Sequence, residues 1–419
     1  MKHLGRIGLS GAFWLGLLKA VIKLFSFFKI VVAARILSPA EIGQFGIVML
    51  PYGLAEVATE SGINQALIQT KKDETKYLGS AWLAFGLRGL LIAVLLWLSA
   101  PGISRFYQQD LTGMIRLVAF TPLLKGLMNP AVVLFRKYLE FKKEFAFQAL
   151  ASVTESLATI GFLFYFKSLI ALPLGVVSGG AAALILSFGF SRLYLAKVSW
   201  QQLQSLYAYG KWVTLGTLLA YLTDQGDDLL VSKALGAGPL GLYQTAYKIS
   251  NLPTTQGAGL VYQVIFPIFA RIQTETERLR RGLLKAVSIT AILSLIFAAG
   301  VYLLAPGAVK LFLGEAWLPM LPALKVLLLF GITRPLISVS SALFDAVGQP
   351  RVATQMNLIK LIILASCLWP LTQKLGIVGT AWAVVIAQVA VYPWYWYQLA
   401  RYFNSRLNTG SVILKKAGS

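Results

Sequence analysis

Apolar stretches of about 20 residues alternate along this chain with short clusters of charge, glycine and proline, the spacing of helices that cross a bilayer. Twelve windows fit, at 9–34, 42–69, 77–99, 112–135, 145–166, 169–195, 209–233, 239–270, 283–305, 318–346, 353–373 and 377–400. They predict an all-α integral membrane protein of about twelve transmembrane helices. The first window lies in GAFWLGLLKAVIKLFSFFKIVVAARIL (11–37) and holds Lys19, Lys23 and Lys29 inside an apolar run. A lysine near the centre of a spanning helix costs about 2.5–3.5 kcal/mol on an insertion scale, so three of them need a reason. The same lysines, with no small-residue cleavage site after them, predict that this segment is retained and not removed as a signal peptide.

Composition sharpens this picture. Hydrophobic residues make up 57% of the 419 and charged residues only 13%, far from the balance of a soluble domain. The single cysteine, Cys367, permits no intramolecular disulfide, and the single histidine, His3, excludes histidine catalysis and multi-histidine metal sites. No cofactor or metal is expected. A formal charge of +22 would suit nucleic acid if it formed a basic patch on a soluble surface, but the charges fall elsewhere. With the N-terminus inside, 21 basic residues fall in cytoplasmic segments, among them Lys71, Lys72, Lys142, Lys143, Arg280 and Arg281. Only Arg35, Arg105, Lys167, Lys233, Lys310 and Lys374 fall outside. The positive-inside rule then puts both termini in the cytoplasm, and nucleic acid is not a partner. Eleven basic residues remain within the windows: Lys19, Lys23, Lys29, Arg88, Arg116, Lys125, Lys211, Lys248, Lys325, Arg334 and Lys360. Several sit near helix ends, where they can snorkel; Lys19, Lys23, Arg88 and Lys360 are the hardest to explain that way.

An internal repeat emerges when VVAARILSPAEIGQF (31–45) is laid over LVSKALGAGPLGLY (230–243) with a shift of 198 residues, matching Leu37 to Leu235, Gly43 to Gly241 and Arg35 to Lys233. The triplet APG at 100–102 recurs at 305–307. This predicts two six-helix lobes, residues 1–200 and 201–419 with a short cytoplasmic tail. Six being even, the lobes would run parallel around a central cavity.

The segments AARILSPAEIGQFGI (33–47), ESGINQALIQTKK (60–72), LFRKYLEFKKEFAFQ (134–148), YGKWVTLGTLLAYLTDQGDDLLVSKALGAGPLGLYQTAYKISNLP (209–253), VIFPIFARIQ (264–273), GEAWLPMLPALKVL (314–327) and VGQP (347–350) cover nearly the whole chain. Together they resemble the polysaccharide transporter family, the Wzx-type flippases and teichuronic-acid exporters of the MOP exporter superfamily. The resemblance implies a MATE-like fold and a role in surface polysaccharide biosynthesis, of the lipopolysaccharide O-antigen or exopolysaccharide kind. It implies movement of undecaprenyl-diphosphate-linked oligosaccharide across the bacterial inner membrane by alternating access, without catalysis. The partners it implies are the lipid-linked substrate, membrane lipids, protons or sodium as coupling ions, and the polymerase and glycosyltransferases of the same pathway.

The candidate site residues follow from charge and spacing. Lys19 and Lys23, four apart, share a helix face that Ser26 and Ile30 continue; the repeat places Asp224 on Ser26, Asp227 on Lys29 and Asp228 on Ile30. Lys19, Lys23, Arg88 and Lys360 are read as a cationic cavity that neutralises a diphosphate in a low-dielectric region. Snorkelling from a tilted helix stays open as the alternative. Asp224, Asp227 and Asp228 fall within an arc of about 100°. They are expected to form a gate with Lys29 or Arg35, Lys29 approaching Asp227, or to titrate with the coupling ion; a solvated helix end is the other reading. Glu56, Glu155 and Asp345 are further buried acids, or partners for Arg88, Lys360 or Arg334. Prolines inside windows, including Pro51, Pro122, Pro253, Pro267, Pro335 and Pro393, bend helices. The cluster YPWYWY (392–397) reads as an interfacial belt. Two other functions compete. A drug exporter of the same superfamily would share the fold, but the lysines would repel cationic cargo. A glycan ligase or polymerase would want a larger outer loop than the dozen or so residues available.

Overall fold

The computed structural model describes residues 2–69, 75–192, 198–349 and 351–417. Lys71, Lys72, Lys197 and Pro350 lie outside the described residues, as do the side chains of Lys2, His3, Arg6, Lys211, Pro267, Arg406, Lys415 and Lys416. Among the described residues every regular element is a helix, and the chain divides into two compact units, Met1–Tyr221 and Leu222–Ser419.

The first unit begins with α1 (Lys2–Ile36) and α2 (Pro39–Ala58). Ser38 separates them through a capping box, its Oγ accepting from the Glu41 amide at 3.3 Å while its own amide donates to Glu41 Oε2 at 2.8 Å. Helix α3 (Ile63–Gln69) follows, then α4 (Thr75–Tyr107). The second window, 42–69, is thus two helices, broken at Gly62 with φ 64°. Next come α5 (Thr112–Val118), α6 (Phe120–Gly126), a 3-10 turn at Pro130–Val133 and α7 (Leu134–Lys137). The fourth window is therefore bent, by 74°. Its cause is local: Pro130 forces Asn129 into extended backbone (ψ 115°), and the Asn129 side chain restarts the next turn by accepting from the Ala131 amide. Helices α8 (Phe141–Phe166) and α9 (Ala171–Phe190) pack on each other, and α8 also packs on α1. Ala33, Leu37, Leu163, Leu169, Ala171 and Leu172 form the core where these three meet.

Helix α10 (Trp200–Ala234) carries the chain into the second unit. It repeats α1: Lys2 to Trp200 and Ile36 to Ala234 are each a displacement of 198 residues, and Pro39 to Ala237 at the next helix start is the same. Then follow α11 (Ala237–Ser250), a π-helical turn at Pro253–Ala258, α12 (Gly259–Arg271), α13 (Thr276–Ala308) and α14 (Leu321–Ala346). The eighth window is split at Pro253, which has no amide to continue the ladder. Helix α15 (Arg351–Ala390) holds a kink at Gly376, φ 60° and ψ −142°, a conformation open to glycine, and this separates windows eleven and twelve. The last helix is α16 (Tyr392–Ala417). In this unit α14 packs against α11, α12, α13 and α15. Where α11 meets α14, a Cβ on Gly331 would stand 2.2 Å from the Ser250 carbonyl oxygen, so only glycine allows that approach.

Among the described residues, six helical segments are long and apolar enough to cross a membrane, and the bent pair in residues 112–137, taken as one span, makes a seventh. Their outward surfaces are hydrocarbon, with Leu98, Leu303 and Leu304 all about 70% exposed, as suits lipid contact and not water. Helices α1 and α10 reach 35 residues each, but Lys19, Lys23 and Lys29 interrupt one and Asp224, Asp227 and Asp228 the other.

Candidate functional site

In the first unit, mostly half-buried charge gathers where α1, α2, α4, α6 and α8 converge. Lys29 Nζ lies 2.6 Å from Glu155 Oε1, tying α1 to α8. Arg88 on α4 reaches the C-terminal end of α2. Its Nη2 meets the Glu56 carboxylate at 2.7 Å and the Glu56 carbonyl at 2.6 Å, its Nε donates to the carbonyl and hydroxyl of Thr59, and Glu60 stands 3.7 Å away. A guanidinium suits this task because its rigid fork serves several acceptors at once, and a cation at a helix C-terminus also answers the helix dipole. From the same Glu56 a chain runs outward: Tyr52 OH donates to Glu56 Oε1 at 3.1 Å and accepts from Lys125 Nζ at 2.9 Å.

These groups border a cavity of about 590 Å³ whose wall includes Glu56, Arg88, Lys125 and Glu155. Lys125 has no carboxylate within ion-pair distance among the described residues; its partners are the Tyr52 hydroxyl and ring face. Sequence reasoning left Lys125 among the residues that snorkel, because nothing in the primary structure places Tyr52 beside it. Lys19 is half-buried and Lys23 exposed on α1, and neither has an ion-pair partner among the described residues. Arg35 is exposed in the last turn of α1.

In the second unit, α10, α11, α14 and α15 hold a second network. Arg334 Nη2 donates to both carboxylate oxygens of Asp224 at 2.9 Å, and its Nη1 donates to Tyr247 OH at 2.9 Å. Asp227 and Asp228 are buried at 3% and 7% exposure. Each has a neutral partner one helix away: Tyr243 OH donates to Asp227, and Gln244 Nε2 donates to Asp228 at 2.8 Å. The spacing explains this, since Tyr243 and Gln244 each lie sixteen residues beyond their partners on the antiparallel return through α11. Lys360 on α15 is buried with its ammonium 5.3 Å from the Phe330 ring centre, and the Arg334 guanidinium lies at the same distance from that ring. An aromatic face stabilises a desolvated cation where no carboxylate reaches it. Asp345 accepts from Tyr262 OH at 2.8 Å.

Of the sequence-chosen residues, the fold thus brings Lys29 to Glu155 and Arg88 to Glu56 in one unit, and in the other gathers Asp224 and Lys360 around Arg334 and Phe330, with Asp227 and Asp228 held by Tyr243 and Gln244. Lys29 and Asp227 each have their hydrogen-bonded partner within their own unit. No group of three or more histidine, cysteine or acidic residues among the described residues is placed to hold a metal ion.

Comparison with known proteins puts these features in a lineage. The chain is 25% identical over 388 residues to the lipopolysaccharide biosynthesis protein WzxC of Escherichia coli K12, covering 91% of this chain and 78% of that one. It is 24% identical to the teichuronic acid biosynthesis protein TuaB of Bacillus subtilis 168, covering 91% and 80%, and 22% identical to the succinoglycan biosynthesis transport protein ExoT of Rhizobium meliloti 1021, covering 80% and 68%. Among solved structures it superposes on the lipid II flippase MurJ in an inward closed conformation, with a TM-score of 0.73 at 16% identity over 92% of this chain and 87% of that one. An inward-facing multidrug resistance MATE transporter of the MOP superfamily gives 0.69 at 17% identity over 93% and 96%. At these identities the superpositions establish the fold. The family profile described as polysaccharide biosynthesis protein matches residues 32–322, more than half the chain, and the chain belongs to that family.

Proposed function

We propose that this protein is a flippase that moves lipid-linked oligosaccharide, carried on undecaprenyl diphosphate, across the bacterial inner membrane by alternating access. It supplies surface polysaccharide biosynthesis and performs no chemical step. The observation that carries this reading is a set of charged side chains held inside apolar helices in a chain of the polysaccharide biosynthesis family. Charge placed at such cost in a membrane marks a path for a polar or charged cargo. The names of the relatives and the MurJ-like fold support it.

The finer architecture belongs to the same proposal: twelve spans in two parallel six-helix lobes, residues 1–200 and 201–419, with both termini cytoplasmic. Lys19 and Lys23 neutralise the diphosphate, a role that their lack of ion-pair partners among the described residues supports; Arg88 and Lys360 add positive potential along the path. Lys29, Arg35, Asp224, Asp227 and Asp228 exchange partners during the cycle or respond to a driving proton or sodium ion. The polymerase and glycosyltransferases of the pathway stand on either side of this step. The test is a deletion strain: it should accumulate undecaprenyl-diphosphate oligosaccharide in the inner leaflet and lose surface polymer, both restored by the gene. Normal polymer with no accumulated intermediate would reject the reading.

A further inference from the structure

We propose that the basic rim at one end of the second unit, where α12, α13, α14, α15 and α16 meet, binds the phosphates of anionic phospholipid headgroups.

One apolar cluster pins these five helices together. Phe269 from α12, Leu279 and Leu283 from α13, Phe344 from α14, Val352 from α15 and Tyr402 from α16 all pack into it. Exposed cations border the same residues along the chain: Arg271 two beyond Phe269, Arg281 and Lys285 on either side of Leu283, Arg351 before Val352 and Arg401 before Tyr402. None of these five cations has an ion-pair partner among the described residues. The acids nearby are already engaged. Glu275 meets Arg278 at 3.2 Å, Glu277 meets Arg280 at 3.9 Å, and Asp345 accepts from Tyr262 OH. Five unpaired cations, two paired arginines and three acids leave a surplus of four positive charges, which calls for an anionic partner.

The surface beside the cations says which anion. On α13, Ile289 lies one turn beyond Lys285 and begins a run of exposed hydrocarbon, with Ile292, Leu293 and Ile296 each more than half exposed. On α16, Tyr397 lies one turn before Arg401, and both it and Trp396 are exposed. A turn rises about 5.4 Å, so the cations stand just past the hydrocarbon and beside aromatic rings, the level at which a bilayer holds its phosphates. A soluble polyanion has no use for that exposed hydrocarbon. A phospholipid uses both surfaces, laying acyl chains on the isoleucines and phosphate against the basic rim. Four of the five unpaired cations are arginines, whose fork can give a phosphate two parallel N–H bonds. Placing the rim in the inner leaflet rests on the topology proposed above; binding itself does not.

Native mass spectrometry of the full-length protein, released from a neutral detergent, measures the lipid bound. Cardiolipin and phosphatidylglycerol should each bind at least about tenfold more tightly than phosphatidylethanolamine of the same acyl length. The combined change Arg281→Gln, Lys285→Gln, Arg351→Gln and Arg401→Gln alters only exposed side chains. It should keep its Tm in neutral detergent and bind cardiolipin at least about twentyfold more weakly. Arg281→Gln and Arg351→Gln alone, each expected to lose about fivefold, keep the test decisive if the combined variant folds poorly. Lys137→Gln, Lys142→Gln and Lys143→Gln together remove charge from a basic segment of the first unit and should change the affinity less than about twofold. Phosphatidylethanolamine binding as tightly, undiminished binding in the second-unit variants, or an equal loss in the first-unit variant would each overturn the proposal. So would displacement of cardiolipin by an equal concentration of glycerol phosphate or polyglutamate, which would make the rim a site for soluble anions. Reporter fusions that reversed the topology would move the site to the other leaflet, whereas failure to bind anionic lipid would remove the site and leave the topology standing.

Discussion

Replacing Glu155 with alanine offers a direct measure of what holds α1 against α8. The Lys29–Glu155 pair is 2.6 Å long with side chains 24% and 32% exposed, so it is screened less than a surface pair but not sealed from solvent. At an effective dielectric constant of about 20, two unit charges at that distance attract by roughly 6 kcal/mol. Desolvation of both ions offsets most of this, leaving a modest net contribution. Removing one partner is different, because the other charge stays in a membrane-spanning helix without its counter-ion. For fully buried pairs that costs about 3–5 kcal/mol; with about a quarter of each side chain exposed, about 2–3 kcal/mol is expected here. Glu155→Ala and Lys29→Ala should each lower stability by that amount. The double mutant should cost little more than either single change, giving a coupling energy of about 1–3 kcal/mol. Unfolding of the purified protein in mixed micelles, titrated with SDS and followed by tryptophan fluorescence, measures all four corners of the cycle. Additive single effects, with coupling under about 0.5 kcal/mol, would show that the pair is not formed and refute the reasoning.

Four further outcomes are expected. Ser38→Ala, which removes the acceptor of the capping box at α2, should cost about 1 kcal/mol and Ser38→Gly only a few tenths, measured in the same unfolding assay. Gly331→Ala sets a methyl group against the Ser250 carbonyl, so α11 and α14 must separate; yield of folded protein by size-exclusion chromatography should fall steeply, and a wild-type profile and Tm would contradict the packing. The double change Lys19→Gln and Lys23→Gln should abolish complementation of surface polymer while the protein remains inserted and abundant; full complementation would leave these lysines only snorkelling. Reporter fusions at Lys167 and Lys310 should report the outer side of the membrane, and a cytoplasmic signal at both would overturn the topology.

Local chemistry was readable in the primary structure; long-range pairing was not. The glycine between windows eleven and twelve sits where α15 kinks, whereas the capping box of Ser38 and Glu41 starts α2 at Pro39, ahead of the window that begins at 42. The repeat shift of 198 residues reappears at both ends of α1 and α10, although Ser38 caps the helix after α1 with its side chain while Gly236 leads into the helix after α10 without one. Yet that shift relates positions, not contacts. It aligns Lys29 with Asp227 as equivalents in their own halves, whereas hydrogen-bond reach gives Lys29 to Glu155, 126 residues away, and Asp227 to Tyr243. Which acid meets which base depends on how α1 leans on α8 and how α11 returns along α10. The Lys125–Tyr52–Glu56–Arg88 chain escaped for the same reason: it joins three helices through a tyrosine that looks like any core aromatic.

The length of α1 has a mechanical consequence. Thirty-five residues at 1.5 Å each make a path of about 52 Å, whereas the hydrocarbon of a bilayer is about 30 Å thick and the whole membrane about 40–45 Å. Even tilted by about 20°, such a helix stands beyond the headgroups at one end. A rod pivoting near one end multiplies small rotations at the other, and a turn of about 10° sweeps its tip through about 9 Å. Lys19 lies near the middle of this rod, where the same turn moves it about half as far. Lys29 and Trp14 both rest on α8, through Glu155 and Phe145, so α1 and α8 turn as one lever. A charge carried on such a paired lever, as Lys19 is, is displaced by ångströms when the two helices turn together.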